Sequence, residues 1–441
     1  MLTYCIRKRL LVFSRVKLLN ELRQISKLYG TSSDGGSNPT VEMMQLFQRR
    51  FFIPPEKHHV VSLLRGRSCA YGPLGVDLKR NILEQWWGSV VRTRPQVFGV
   101  SSLHGAEGRS LGEADHLCNQ PEMTGERIRL RNSLLPGALK QYIPSLELIN
   151  RKLPFGLAET GLCYQPEDDD AIGCSSEVTE ASLVWFCSFR TSSQWLDYWT
   201  RHRLKWWKKL LNHLAFQFAL GPSDFTSCDV PNDEINNSAA RGVRLLYKFP
   251  WGTQTLETLW MLGDTELLRS HQGKITNLQC KDGKRVVVPH VLSVSANMDR
   301  GVLAILLNSL QHVQKVDSKQ RLHQRTVLKL HPTLAPVKVA VDLGKGSTSE
   351  LRQVCEGLLH ELLDVGISAW PGYLDTTQSS MDKLHTKYDE MGVLFTIMVG
   401  ENTLENGLLL VRNRDTTVRE TMHISEIRRF LLDYISKAEN V

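Results

Sequence analysis

The sequence predicts an α+β protein in which a large mixed core gives way to a small α/β domain. Three observations carry this. The 441 residues are 41% hydrophobic and 23% charged, enough chain and apolar content for two or three domains. Residues 156–187 hold two strand-like runs around the acidic loop Glu167–Asp170, the second ending in the sheet-forming Val184-Trp185-Phe186-Cys187. Beyond Pro332 and Pro336, short strand and helix patterns alternate to the end of the chain, as a small mixed sheet layered with helices requires.

Residues 1–30 hold seven cations (Arg7, Lys8, Arg9, Arg15, Lys17, Arg23, Lys27) against Glu21 alone, interleaved with apolar residues. An acid-poor, basic amphipathic segment is what a mitochondrial presequence needs, and Arg15 and Lys17 cut short the apolar run a secretory signal would use. Residues 1–40, closing in a Gly/Ser/Pro-rich stretch, are therefore assigned to a presequence and flexible junction. The net charge of +8 sits mostly in this leader, since 47 basic residues face 45 acidic ones outside it. Global charge does not argue for DNA binding; only local patches can. No run of about 18 apolar residues occurs, so no membrane span is expected.

Val41–Phe52 has helical spacing and is stopped by Pro54-Pro55. The turn Tyr71–Gly75 feeds a helix over Val76–Thr93 with Leu78, Ile82, Trp86 and Val90 on one stripe, ended by Pro95. Residues 104–132 are polar and weakly periodic, an insertion or loop. Leu134–Leu153 reads as helix, Trp195–Leu214 as a long helix, 220–242 as loop, Val286–Val294 as strand and Gly301–Val313 as a hydrophobic helix. The last domain reads as strand Val337–Leu343, helix Ser349–Val365, strand Ile367–Pro371, helix Ser379–Tyr388 and strand Val393–Val399. Strands near Gly407–Val411 and Thr421–His423 and a helix over Ser425–Ser436 complete it.

The nine cysteines are scattered, without a Cys-x-x-Cys, and are expected as free thiols rather than a zinc site. Gly344-Lys345-Gly346-Ser347 lacks the first glycine and the spacer of a phosphate loop and reads as a turn. No Ser/His/Asp grouping stands out. The sequence thus nominates no catalytic residue, no metal ligand and no cofactor.

Four segments resemble class II aminoacyl-tRNA synthetases of the glycyl type. Tyr71-Gly-Pro-Leu-Gly-Val-Asp-Leu-Lys79 with Trp86-Trp87 is similar to that family's first motif. Thr333-Leu-Ala-Pro-Val-Lys-Val-Ala-Val341, Thr403-Leu-Glu-Asn-Gly407 and Val411-Arg-Asn-Arg-Asp-Thr416 are similar to strands of its anticodon-binding domain. The resemblance implies a class II synthetase-like antiparallel-sheet core over 41–325, with a shortened insertion region at 104–150. An anticodon-binding-like α/β domain follows over 326–441.

The catalytic positions depart from that pattern. Where the second motif reads Phe-Arg-x-Glu, this chain has Cys163-Tyr164-Gln165-Pro166; the third motif keeps Arg300 but has Ser295, Ala296 and Asn297 in place of glycines. Adenylate formation needs preorganised positive charge on the transferring phosphate, and one arginine does not supply it. This combination, with Gln194-Trp-Leu-Asp197, Phe249-Pro-Trp-Gly252, Trp370-Pro-Gly-Tyr-Leu374 and Met422-His-Ile-Ser425, resembles the accessory-subunit family of the animal mitochondrial DNA polymerase. The resemblance implies a non-catalytic processivity factor in the mitochondrial matrix (nucleoid). Its partners would be the polymerase catalytic subunit and double-stranded or primer–template DNA. Residues 104–132 are shorter than the dimer-forming insertion of some members, which leaves monomer and homodimer both open. Leu211–Leu220 is extra sequence of unassigned purpose. An active mitochondrial glycyl-tRNA synthetase and a tRNA-binding regulatory protein are the alternative readings.

Candidate DNA contacts are Arg201, Arg203, Lys205, Lys208 and Lys209 on the Trp-rich helix, against the competing reading of a tryptophan core face with a solvated cationic back. Lys315, Lys319, Arg321, Arg325 and Lys329, in what reads as a polar linker, are a second set; an exposed hinge is the competing reading. Such contacts would be sequence-independent and salt-sensitive. A third patch, Arg269, Lys274, Lys281, Lys284 and Arg285, reads as a hairpin with surface charge. For the polymerase interface the candidates are Leu408, Val411, Met422, Ile424 and Ile427.

Overall fold

The computed structural model describes residues 39–103, 105–106, 129–166, 175–211, 224–235, 239–271, 275–316, 322–344, 349–375 and 380–440. The expected presequence, the acidic loop Glu167–Asp170, most of 104–132 and most of Leu211–Leu220 lie outside them. So do Lys345, Gly346 and Ser347.

Helices α1 (Pro39–Arg49), α2 (Lys57–Leu64) and α3 (Pro73–Trp87) open the described chain. Pro at the first turn of α3 costs no hydrogen bond there, and Leu74, Leu78, Ile82 and Trp86 recur at helical spacing on its buried side. The last turn widens into a π-helical segment, Gly88–Arg92, before the chain turns into strand β1 (Val97–Gly99). Strands β2 (Phe155–Pro166) and β3 (Ser175–Cys187) form a long hairpin, as the sequence pattern predicts. They are followed by α4 (Ser192–Leu211), β4 (Phe225–Asp229), β5 (Arg241–Phe249), β6 (Gly252–Gly263) and β7 (His290–Asn297). Among the described residues these seven strands form one sheet in the order β1-β2-β3-β7-β6-β5-β4. All neighbours are antiparallel except β1 with β2.

Helix α5 (Met298–Ser309) leads to a two-stranded hairpin, β8 (Leu310–Val316) and β9 (Leu322–Leu328). The last domain runs β10 (Val339–Leu343), α6 (Ser349–Asp364), β11 (Ala369–Pro371), α7 (Met381–Met391), β12 (Phe395–Val399), β13 (Leu408–Asn413), β14 (Arg419–His423) and α8 (Ile424–Asn440). Its strands order as β11-β10-β12-β13-β14, parallel in the first three and antiparallel beyond. The expected mixed sheet is present.

One buried apolar cluster runs from Phe47 and Trp86 through Trp207 and Leu306 to Leu334, Val341 and Ile427. A second, around Tyr142, Phe155 and Phe186, lies under two short helical turns, Leu135–Lys140 and Tyr142–Ser145. These turns replace the single helix expected over Leu134–Leu153: Pro136 fits the first turn, but Pro144 has no N–H with which to continue the ladder from Lys140. The helix expected over Gly301–Val313 ends at Ser309; from Leu310 the chain pairs as β8 instead. Strand β4 falls in the expected loop 220–242. It buries only Phe225 among five residues, so it carries no alternating signature.

Candidate functional site

Residues opposite one another in an antiparallel pair share a face. Glu159 faces Ser182, Gly161 faces Glu180, and Ser182 and Glu180 face Ser295 and Asn297 across β7. The positions of the second and third synthetase-type motifs are thereby gathered on one side of the sheet. Cys163 is buried there, and desolvation raises its thiol above the ordinary range, reinforced by the neighbouring Glu180 carboxylate. Burial likewise raises Glu180, against hydrogen bonds from Ser295 and Cys163 that pull it back.

Arg131 lies across this face. Its Nη1 donates to Glu159 Oε1 at 3.0 Å and to the Ser102 carbonyl, and its Nε donates to the Leu162 carbonyl at 2.7 Å. A Cβ on Gly161 would meet Arg131 Nη2 at 2.2 Å, so only glycine lets the guanidinium rest on the strand. The positive charge is consumed by Glu159, itself held by the Ser102 N–H and hydroxyl at 2.9 Å.

Arg300 is also committed. Its backbone N–H donates to Asn297 Oδ1, which caps α5, and its Nη1 donates to the Thr255 carbonyl at 2.9 Å. The side chain passes against Gly66, where a Cβ would sit 2.1 Å from Nε. Neighbouring Asp299 is fully buried and accepts from Tyr71 Oη at 2.7 Å, Lys79 Nζ at 2.9 Å and the Thr179 N–H at 2.7 Å. Asp299 thus braces α3, β3 and α5 together.

Helix α4 has a tryptophan core face and a largely solvated cationic back. Trp199, Trp206, Trp207 and Leu210 are buried, and Arg201, Lys205 and Lys209 are exposed with Lys208 half-buried. Arg203 is a correction: it is 0% exposed, pairs with Glu257 through Nε at 2.7 Å, and stacks 4.2 Å from the Trp206 ring. Trp207 Nε1 donates to the other Glu257 oxygen at 2.7 Å. Arg203 follows Trp199 by four residues and precedes Trp207 by four, which puts it on the inner face and away from any phosphate.

The second basic set does not lie in a linker. Lys315 pairs with His323, and Val313 with Arg325, inside the β8–β9 hairpin. Arg325 is a further correction, because its Nε donates to Asp389 Oδ2 and its Nη2 to the Arg414 carbonyl at 2.8 Å. Lys329 is half-buried, and desolvation lowers its pKa against the opposing pull of Asp415. Lys319 and Arg321 lie outside the described residues. In the third patch, Cys280–Asp282 and Arg285–Val287 do form a hairpin turning at Gly283. Lys274 of that patch lies outside the described residues; Arg269 is on the helical turn Thr265–Ser270 and pairs with Glu266.

Two of the five interface candidates are core residues: Val411 is 4% exposed and Ile427 0%. Strand alternation turns Leu409 and Val411 inward, leaving Leu408 half-buried and Leu410 exposed. The run Leu408-Leu-Leu-Val411 is apolar throughout, so no alternation in it marks the inner face. Met422 and Ile424 are half-buried against the core. No local pattern marks Arg131, Glu257, or Arg414, whose guanidinium donates to the Leu328, Leu330 and Gly392 carbonyls.

Residues 338–434 match the family model described as an anticodon binding domain. Over 94% of its length the chain is 46% identical to a mouse protein named DNA polymerase subunit gamma-2, covering 96% of that protein. It is 45% identical to a Xenopus laevis protein named DNA polymerase subunit gamma-2, mitochondrial, covering 93% of this chain and 91% of the relative. More distantly it is 24% identical to a protein of Thermobifida fusca named glycine–tRNA ligase, covering 89% of this chain and 97% of that one.

Proposed function

The chain belongs to the DNA polymerase subunit gamma-2 family, and on that premise we propose a non-catalytic accessory subunit of the mitochondrial DNA polymerase. It binds the catalytic subunit and double-stranded or primer–template DNA, and raises processivity in mitochondrial DNA replication. A Xenopus relative named as mitochondrial and the basic leader support that location, with the matrix nucleoid as the place of action. The observation that carries the non-catalytic reading is the sheet face itself. Cys163 is buried and protonated in the second-motif segment, and Arg131 is spent on Glu159. Among the described residues, no preorganised charge remains on that face for a transferring phosphoryl group.

In this reading duplex contacts fall to Arg201, Lys205, Lys208 and Lys209 on α4, with Lys315 and Lys329, and with Lys319 and Arg321, which lie outside the described residues. Leu408, Met422 and Ile424 face the catalytic subunit from the domain assigned to 326–441. The test is co-purification with the catalytic subunit, then product length per binding event on a primed template. Longer products at equal enzyme occupancy are expected. Unchanged product length, or glycine-dependent ATP–pyrophosphate exchange above background, would overturn the reading.

A further inference from the structure

Away from the motif face, a pocket of about 480 Å³ opens between the turn after the π-helical segment and the start of α4. Its walls are aromatic. Trp185 meets Trp195 with ring centroids 4.8 Å apart at 52°, and Trp195 meets Tyr198 at 5.3 Å and 81°, so the rings form an open corner rather than a closed stack. Its polar groups are Arg94, Gln96 and Gln194, with the hydroxyls of Thr93, Thr191 and Tyr198. Arg94 is held in place: one nitrogen donates to the Ser89 carbonyl, another to Tyr198 Oη at 2.9 Å, and the guanidinium lies 4.7 Å from the Trp199 ring. Trp185 is fully buried, and its indole N–H has no acceptor among the described residues. Such orphaned donors are rare in folded proteins. Beside the pocket the turn into α4 exposes Phe189, 72% accessible, and Arg190.

An aliphatic ligand would leave the arginine and both amides unused. A bare anion would meet one cation and a wall of rings. A planar heteroaromatic uses all of it: ring faces for stacking, amides for its polar edge, and Arg94 with Arg190 for an attached phosphate. The volume suits one nucleotide. We propose that this pocket takes an unpaired nucleobase, stacked against Trp195 and Tyr198. Sequence-tolerant stacking beside backbone cations is how single strands are held. This goes beyond duplex binding through α4 and does not depend on the polymerase reading.

The test is photo-crosslinking of the full chain to a short single-stranded oligonucleotide carrying 5-iododeoxyuridine, with the crosslinked peptide mapped by mass spectrometry. Crosslinks in the segment containing Trp195 and Tyr198 are expected. Competition by free dUMP as effective as by unlabelled strand would identify a mononucleotide site; competition by strand alone would identify a strand-binding one. Gln194→Glu, an exposed change that leaves the packing intact, should weaken single-strand binding about tenfold while duplex affinity and the unfolding midpoint hold. Trp195→Leu, which removes the stacking ring, should also weaken single-strand binding, with its loss of packing read separately from the unfolding midpoint. Crosslinks confined to other segments, or both variants binding single strands like the parent, would overturn the proposal.

Discussion

Arg203 and Arg201 are two residues apart and do opposite jobs. Arg203 is sealed against Glu257 and Trp206, whereas Arg201, among the described residues, reaches only the Asp197 carbonyl, at 3.3 Å, from an exposed position. Arg203→Met should therefore cost about 3–5 kcal/mol, because it leaves the buried Glu257 carboxylate unpaired. Arg201→Ala should cost no more than about 0.5 kcal/mol; urea unfolding of the two variants checks both. Two histidines bear on acid stability. Burial, with Arg94, Arg203 and Lys205 nearby, lowers His202 to about 3. Burial, with Arg412 and Arg419 outweighing Asp389 and Asp382, lowers His385 to about 4. Below the unfolded value of about 6.5, the unfolded chain binds protons on these rings that the native state refuses, so stability falls as pH drops toward 4. Replacing both histidines by glutamine should flatten the change in urea midpoint between about pH 7 and pH 5. An unaltered slope would dismiss them as its source.

At the scale of the element, α4 shows how far spacing can be trusted. Trp195, Trp199, Trp206 and Leu210 read as one stripe; the last three are buried and Trp195 is half-buried against the core. Arg201, Lys205 and Lys209 recur every four residues on the outer side. Reversing these three to glutamate should weaken duplex affinity and reduce the log–log salt slope by about 0.9 for each phosphate no longer neutralised. Titrations across salt concentration measure it, and an unchanged slope would take α4 out of the DNA surface. The β8–β9 hairpin was not legible: Leu310–Val316 follows a strongly apolar helix, and its strand character rests on pairing with residues a turn away. Strand β13 posed the reverse problem, since an apolar run shows that a strand is buried without showing which side faces in.

Across the whole molecule, α7 of the last domain gathers ties from distant parts of the chain. Asp389 accepts from Arg412 at 2.9 and 3.0 Å and from Arg325 of the hairpin, while Glu390 accepts from Arg50 of the turn after α1 at 2.7 Å. Asn81 of α3 adds a bond to the Leu334 carbonyl at 3.1 Å. Asp389→Ala should destabilise by about 3–5 kcal/mol, since it strands two arginines against each other; thermal and urea unfolding report it. A loss below about 1 kcal/mol would show the tie to be incidental. By itself the sequence determined the order of most elements and the mixed sheet of the last domain, because each is written in local pattern. Only the tertiary structure decided which cations meet solvent. Arg203 finds its carboxylate 54 residues away and Arg325 finds its own 64 away, and no local spacing encodes a partner that folding brings from so far.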